Sequence, residues 1–217
     1  MNKTIFLCAV SLACVATVCA APAKGKVAAR RPAAQRSAAF PETAFRRTPY
    51  VGAIAVDAQT GEVLFERHAD AVARPASVTK LMTLLLCLED MHAFKYDPTT
   101  RVTASVRCCQ ERPSSVGLKP GQSMTVDDLL MSIMVRSAND AAVLLAEHST
   151  AANAGRAIEP GDLQAFVLRM NNKARELGMA HTHYATPNGY PPKPGSGRPF
   201  DTSTCRDLVK LAQAVLR

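Results

Sequence analysis

The stretch Arg74-Pro75-Ala76-Ser77-Val78-Thr79-Lys80-Leu81-Met82 decides how this chain is read. It puts a hydroxyl and an amine three residues apart, and Leu84-Leu85-Leu86 continues it as a helix entering a core would. Residues i and i+3 of a helix share a face, so the Lys80 amine is expected beside the Ser77 oxygen. A serine hydroxyl is a weak nucleophile until a neighbouring base takes its proton. A desolvated lysine is such a base, because burial disfavours its charged form. Farther along, Ser137-Ala138-Asn139 supplies a second hydroxyl and a carboxamide suited to holding a substrate amide. Taken alone, Ser77 is an ordinary helix N-terminal serine and Asn139 a helix cap. The two motifs in order, each in fitting context, carry more than either.

The surrounding pattern is mixed. Residues 51–57 and 62–67 read as a strand pair around the turn Ala58-Gln59-Thr60-Gly61. Helices are expected over 77–90, over 126–135 with Thr125 as its cap, and from the Ser137 turn to about Glu147. Leu163, Phe166, Val167, Met170, Ala174 and Leu177 repeat at helical spacing, and Gly178 is a C-terminal stop. Residues 101–107 suggest a short strand. Residues 189–200 form a Pro/Gly loop, and a last helix is expected from Asp201 or Thr202. That leaves one convincing hairpin, which is marginal by itself in water.

Charge divides the chain. Residues 1–48 carry eight Lys/Arg and one Glu, whereas residues 49–217 carry 18 basic and 17 acidic residues. The basic residues of the body are scattered without interleaved aromatics, which argues against nucleic acid as a partner. Residues 1–20 read as a secretory signal: Lys3 at the start, an apolar run from Ile5 to Val18, and Val18-Cys19-Ala20 as a small-residue cleavage pattern. Residues 21–48 read as a basic Ala/Pro-rich linker, with peripheral contact to anionic envelope surfaces as a subsidiary role. Residues 49–217 are then the folded, exported domain, in the periplasm or an extracytoplasmic envelope. Cys87 reads as a buried small hydrophobe, and adjacent Cys108 and Cys109 would be strained if bonded to each other. His68, His92, His148, His181 and His183 lack zinc-ligand company and read as surface or turn residues.

The motifs resemble those of the active-site serine enzymes that bind penicillin, whose signatures are Ser-x-x-Lys, Ser-x-Asn and Lys-Thr-Gly. The flanks resemble the low-molecular-weight D-alanyl-D-alanine carboxypeptidases. The matching stretches are Ala53-Ile54-Ala55-Val56-Asp57, Ser114-Ser115-Val116-Gly117-Leu118-Lys119-Pro120-Gly121, Met170-Asn171 and Pro187-Asn188-Gly189. The resemblance spans residues 49–217. It implies an α+β, beta-lactamase/transpeptidase-like fold, with a helical cluster packed on an antiparallel sheet. It also implies acyl transfer on peptidoglycan stem peptides ending in D-Ala-D-Ala, without metal or organic cofactor, and inhibition by beta-lactam antibiotics. Ser77 would be the nucleophile, Lys80 its base, Ser137 a proton relay and Asn139 the grip on the substrate backbone.

No Lys-Thr-Gly occurs. Lys119-Pro120-Gly121 and Lys193-Pro194-Gly195 sit in loops, and the third motif should lie on a strand. The expectation is that the chain ends before the C-terminal strands of the sheet, and is a poor enzyme by itself. Ala138 favours a carboxypeptidase over a murein endopeptidase of the same fold, whose second motif tends to be Ser-Glu-Asn. A class A beta-lactamase would need a deacylating glutamate in a context that Glu147 and Glu159 lack. An inactive peptidoglycan-binding fragment is the alternative from a different class.

Overall fold

A computed structural model describes residues 50–217, together with the backbone of two strands nearer the N-terminus. The main sheet has the order β2-β1-β3-β4 and is antiparallel throughout. Its strands are β1 (Ile5–Val10), β2 (Ala16–Val18), β3 (Gly52–Asp57) and β4 (Val63–Arg67). The expected hairpin is β3–β4. The Asp57 carboxylate closes its turn by accepting from the N–H groups of Gln59 and Thr60, at 2.9 and 3.0 Å.

The sequence suggested an isolated hairpin, but it has a neighbour. The other edge of β3 pairs with β1, from Ile5 opposite Asp57 to Val10 opposite Gly52. An open strand edge presents unpaired N–H and C=O groups to any segment of strand character. Part of the apolar run read as an export signal has that character, and as β1 it supplies the neighbour. The basic linker at 21–48 lies outside the described residues.

Helices cover the sheet and one another. They are α1 (Lys80–His92), α2 (Val126–Arg136), α3 (Asn139–Asn153), α4 (Asp162–Glu176) and α5 (Cys205–Val215). Helix α3 is the centre: Ala141, Ala142, Val143, Leu144, Leu145 and Ala146 are all buried, so every face of it meets protein. It packs against α1, α2 and α4, while α5 packs on β1 and β3. In α4 the expected stripe is inside, with Leu163, Phe166, Met170 and Ala174 buried. Gly178 ends that helix in the left-handed region; its N–H donates to Arg175 O and that of Met179 to Ala174 O, a Schellman closure. A second small sheet pairs β5 (Arg101–Thr103) with β6 (Ser123–Thr125).

Three local expectations are corrected. The first helix opens with a 3-10 turn over Ala76–Thr79 before α1 begins at Lys80. The helix after the Ser137 turn runs on to Asn153, because its sides stay buried beyond Glu147. The last helix starts at Cys205, capped by Thr204, because Asp201 is used by the site described below and Ser203 pairs its backbone with Ala73. The remaining expected cap is present: Thr125 Oγ1 accepts from Asp128 N at 3.1 Å.

Among the described residues most buried polar groups are paired, with His148 Nε2 and Tyr184 Oη as exceptions. Asp90 on α1 takes Arg169 Nη2 of α4 at 2.7 Å and the Ser149 hydroxyl of α3, tying three helices together. A buried carboxylate needs such partners to offset its lost hydration. Cys87, Cys108 and Cys109 are free thiols. Burial pushes the Cys87 thiol up to about 12, so it behaves as a small hydrophobe. The Sγ atoms of Cys108 and Cys109 lie 3.9 Å apart, unbonded. His148 is not a surface residue: its ring sits 4.9 Å from that of Tyr96, and burial holds its pKa below the ordinary value.

Candidate active site

The 3-10 turn and the first turn of α1 present Ser77 and Lys80 on one face, as the spacing requires. Ser77 is exposed, whereas Lys80 is only 3% exposed. Lys80 Nζ lies 3.1 Å from Ser77 Oγ and donates to the backbone oxygen of Asn188 at 2.7 Å. Burial draws the lysine pKa from 10.5 down to about 8, against the opposing pull of the Asp201 carboxylate. A large share of the amine is therefore neutral just above neutral pH, as a base for a serine hydroxyl requires.

The turn that holds Lys80 comes from far along the chain. Thr83 Oγ1 on α1 donates to Pro187 O at 2.6 Å. Asp201 anchors the approach to this turn, accepting from the N–H groups of Ala185 and Thr186 and from the Thr186 hydroxyl. Its other contact, 3.3 Å from Thr79 Oγ1, reaches the turn that carries Ser77. Gly189 makes the approach possible. It sits at φ +76°, and a Cβ there would lie 1.8 Å from Ala76 O. Ala76 itself has φ +48°, in a region non-glycine residues seldom occupy. Left-handed alanine directly before Ser77 is local strain held by the packing around it.

The second motif lies where α2 gives way to α3. Ser137, half-buried, caps α2 at φ +54°, a second left-handed non-glycine residue. This reversal turns the chain so that Asn139 opens α3, 4% exposed, with its N–H donating to Ser114 O at 2.8 Å. The next residue, Asp140, accepts from the N–H groups of Val116, Gly117 and Leu118 at 3.0–3.1 Å. The stretch 114–118 is thereby pinned over the motif. Ser137 and Asn139 make no hydrogen bond to Ser77 or Lys80 among the described residues, although α3 packs against α1.

Sequence reasoning missed three contributors. Asn188 was legible only as a turn residue, Asp201 only as a helix start, and Glu111 not at all. Glu111 Oε2 accepts from Asn188 Nδ2 at 3.2 Å. Glu147, considered as a deacylating glutamate, is buried on α3 and takes the Ser105 hydroxyl at 2.7 Å.

The fold and the serine–lysine pair define a class, and the comparisons agree on it. Residues 49–217 match the family Peptidase_S11, D-alanyl-D-alanine carboxypeptidase. The chain belongs to this family. It is 34% identical over 137 residues to D-alanyl-D-alanine carboxypeptidase DacF of Bacillus subtilis, covering 63% of this chain and 33% of that one. DacA of Escherichia coli is 32% identical over 170 residues, covering 76% of this chain and 38% of its own length. A D-alanyl-D-alanine endopeptidase of Pseudomonas aeruginosa is 32% identical over 162 residues, covering 75% and 46%. The chain thus spans less than half the length of each of these relatives. Among solved structures, the carboxypeptidase DacD from Francisella tularensis superposes with a TM-score of 0.66 at 29% identity, over 75% of this chain and 36% of that one. Penicillin-Binding Protein D2 from Listeria monocytogenes, in its ampicillin-bound form, gives 0.60 at 27% identity, over 76% and 61%.

Proposed function

We propose that the protein of which this chain is part removes the terminal D-alanine from peptidoglycan stem peptides through an acyl-enzyme on Ser77. The observation that carries this is the Lys80 amine, buried and held between Ser77 Oγ and the Asn188 carbonyl. Neutral Lys80 takes the Ser77 proton as Oγ bonds to the carbonyl carbon of the penultimate residue. The backbone N–H of Ser77 is one donor to the resulting oxyanion. The C–N bond then breaks, and Ser137 passes a proton to the departing amine of D-alanine. Asn139 holds the substrate backbone. Water attacks the ester in turn and returns Ser77 to its starting state. On this reading the protein is exported and beta-lactams acylate the same serine. No described helix is long and apolar enough to cross a membrane.

Ala138 supports terminal cleavage over cross-link cleavage. It is fully buried, so the glutamate of a Ser-Glu-Asn motif would not fit there without rearrangement. A fluorescent penicillin should label the protein at Ser77, mapped by mass spectrometry. Labelling that survives Ser77→Ala would reject the assignment. With pentapeptide monomers and cross-linked dimers supplied together, free D-alanine is expected well before dimers are split; the reverse order would favour an endopeptidase.

Asp201 should tune the reaction without entering it. Its charge raises the Lys80 pKa, so removing that charge lowers it. In Asp201→Asn the midpoint of the pH profile of penicillin acylation is expected to move to lower pH than the wild-type value near 8. An unmoved or raised midpoint would show that Asp201 only holds the turn.

A further inference from the structure

A cleft of about 480 Å³ opens beside the 186–188 turn, between the 107–112 segment and the Pro/Gly loop. It is distinct from the serine–lysine pair, since neither Ser77 nor Lys80 lines it. Four cations line it: Arg107, Arg112, Lys193 and Arg198. The carboxylate on its wall, Glu111, is already engaged by Asn188 Nδ2. The folded body is close to neutral, so this concentration of positive charge is local and is no consequence of a basic protein. Arg107 is only loosely paired, 4.0 Å from Glu147. Arg112 spends its Nη1 on the backbone oxygens of Cys109 and Glu111. The Lys193 and Arg198 side chains make no hydrogen bond or ion pair among the described residues, and both are exposed. A concave site with several unspent cations attracts and orients anions.

Asn188 connects the cleft to the chemistry. Its backbone oxygen grips Lys80, while its carboxamide faces Glu111 on the cleft wall. A peptide whose scissile carbonyl, that of the penultimate residue, lies at Ser77 therefore has its preceding residues within reach of the cleft. We propose that the cleft is a subsite for a carboxylate of the substrate peptide upstream of the scissile bond, bound by Lys193 and Arg198 with Arg107 and Arg112 supplying the surrounding field. This rests on the acyl-transfer reading of Ser77, and adds that the protein selects acidic stem peptides.

Two fluorescein-labelled pentapeptides test it: L-Ala-γ-D-Glu-L-Lys-D-Ala-D-Ala and the same peptide with its D-Glu α-carboxylate converted to the carboxamide. Binding to the full chain is followed by anisotropy at low and moderate salt. The carboxylate form should bind about tenfold tighter, the value of one charge-assisted hydrogen bond. That advantage should shrink with salt. It should vanish in the double variant Lys193→Glu, Arg198→Glu, whose fold is checked by circular dichroism and a urea melt. Equal affinity for the two peptides, no measurable binding of the acidic one, or an advantage unchanged in the double variant would overturn the subsite. So would an oligothymidylate that binds as tightly and displaces the peptide, since the cleft would then be a general polyanion surface. The Ser77 reading stands or falls separately, on penicillin labelling. Labelling at Ser77 without carboxylate preference rejects only the subsite.

Discussion

Replacing Lys80 by methionine is expected to slow penicillin acylation of Ser77 by about a hundred- to ten-thousand-fold, the span of a lost general base. Methionine keeps most of the side-chain volume in a site that is almost closed to solvent, so the loss would report chemistry more than packing. In the wild type the acylation rate should rise with pH through about 8, where the amine loses its proton. The variant should show a low rate without that rise. A variant whose rate keeps the same pH dependence would assign the base to another group.

The same lysine has a cost for folding, and its sign can be checked. Its pKa is about 8 folded and 10.5 ordinarily, so between those values the unfolded chain holds more protons than the folded one. Stability should therefore rise with pH across that window and level off above it. Below it, keeping the buried amine charged costs about 3 kcal/mol of folding free energy. Urea melts at about pH 7 and about pH 10 should show this gain in the wild type and lose it in Lys80→Met. The stability is given up at the residue the proposed reaction needs, which is where such compromises are expected.

Gly189→Ala is expected to destabilise the fold by about 3 kcal/mol or more and to remove penicillin labelling of Ser77. The new Cβ would meet Ala76 O at 1.8 Å and Ala76 C at 2.4 Å, both backbone atoms that cannot rotate away. Either the 186–189 turn retreats and Lys80 loses the Asn188 carbonyl, or the strained turn before Ser77 shifts. Gly178→Ala is the control. That glycine also has a positive φ, +68°, but nothing lies within 4 Å of the added Cβ. Its cost should be only that of the left-handed backbone, about 1 kcal/mol, with labelling intact. Equal costs for the two variants would show that the close approach at Gly189 is not what places the turn.

What was legible in the sequence was local. The Ser77–Lys80 contact follows from residues three apart at the opening of a helix, a geometry the backbone repeats wherever a helix forms. The α4 stripe, the Thr125 cap and the Gly178 stop follow from the same short-range periodicity. The tertiary structure decided everything that depends on residues meeting across the chain. Asn188 reaches Lys80 over 108 positions, and Asp201 reaches Thr79 over 122. Those contacts keep water from the lysine and set its pKa, and no pattern near Lys80 foretells them. The partner of β3 was likewise invisible, because a strand edge accepts any segment of suitable character and the sequence does not say which will arrive. The cations of the cleft are separated by some eighty positions, from Arg112 to Lys193, and read as scattered surface charge until the Pro/Gly loop folds back beside the 107–112 segment. Side-chain chemistry is written in the sequence, whereas the desolvation and mutual approach that turn it into reactivity are properties of the packed chain.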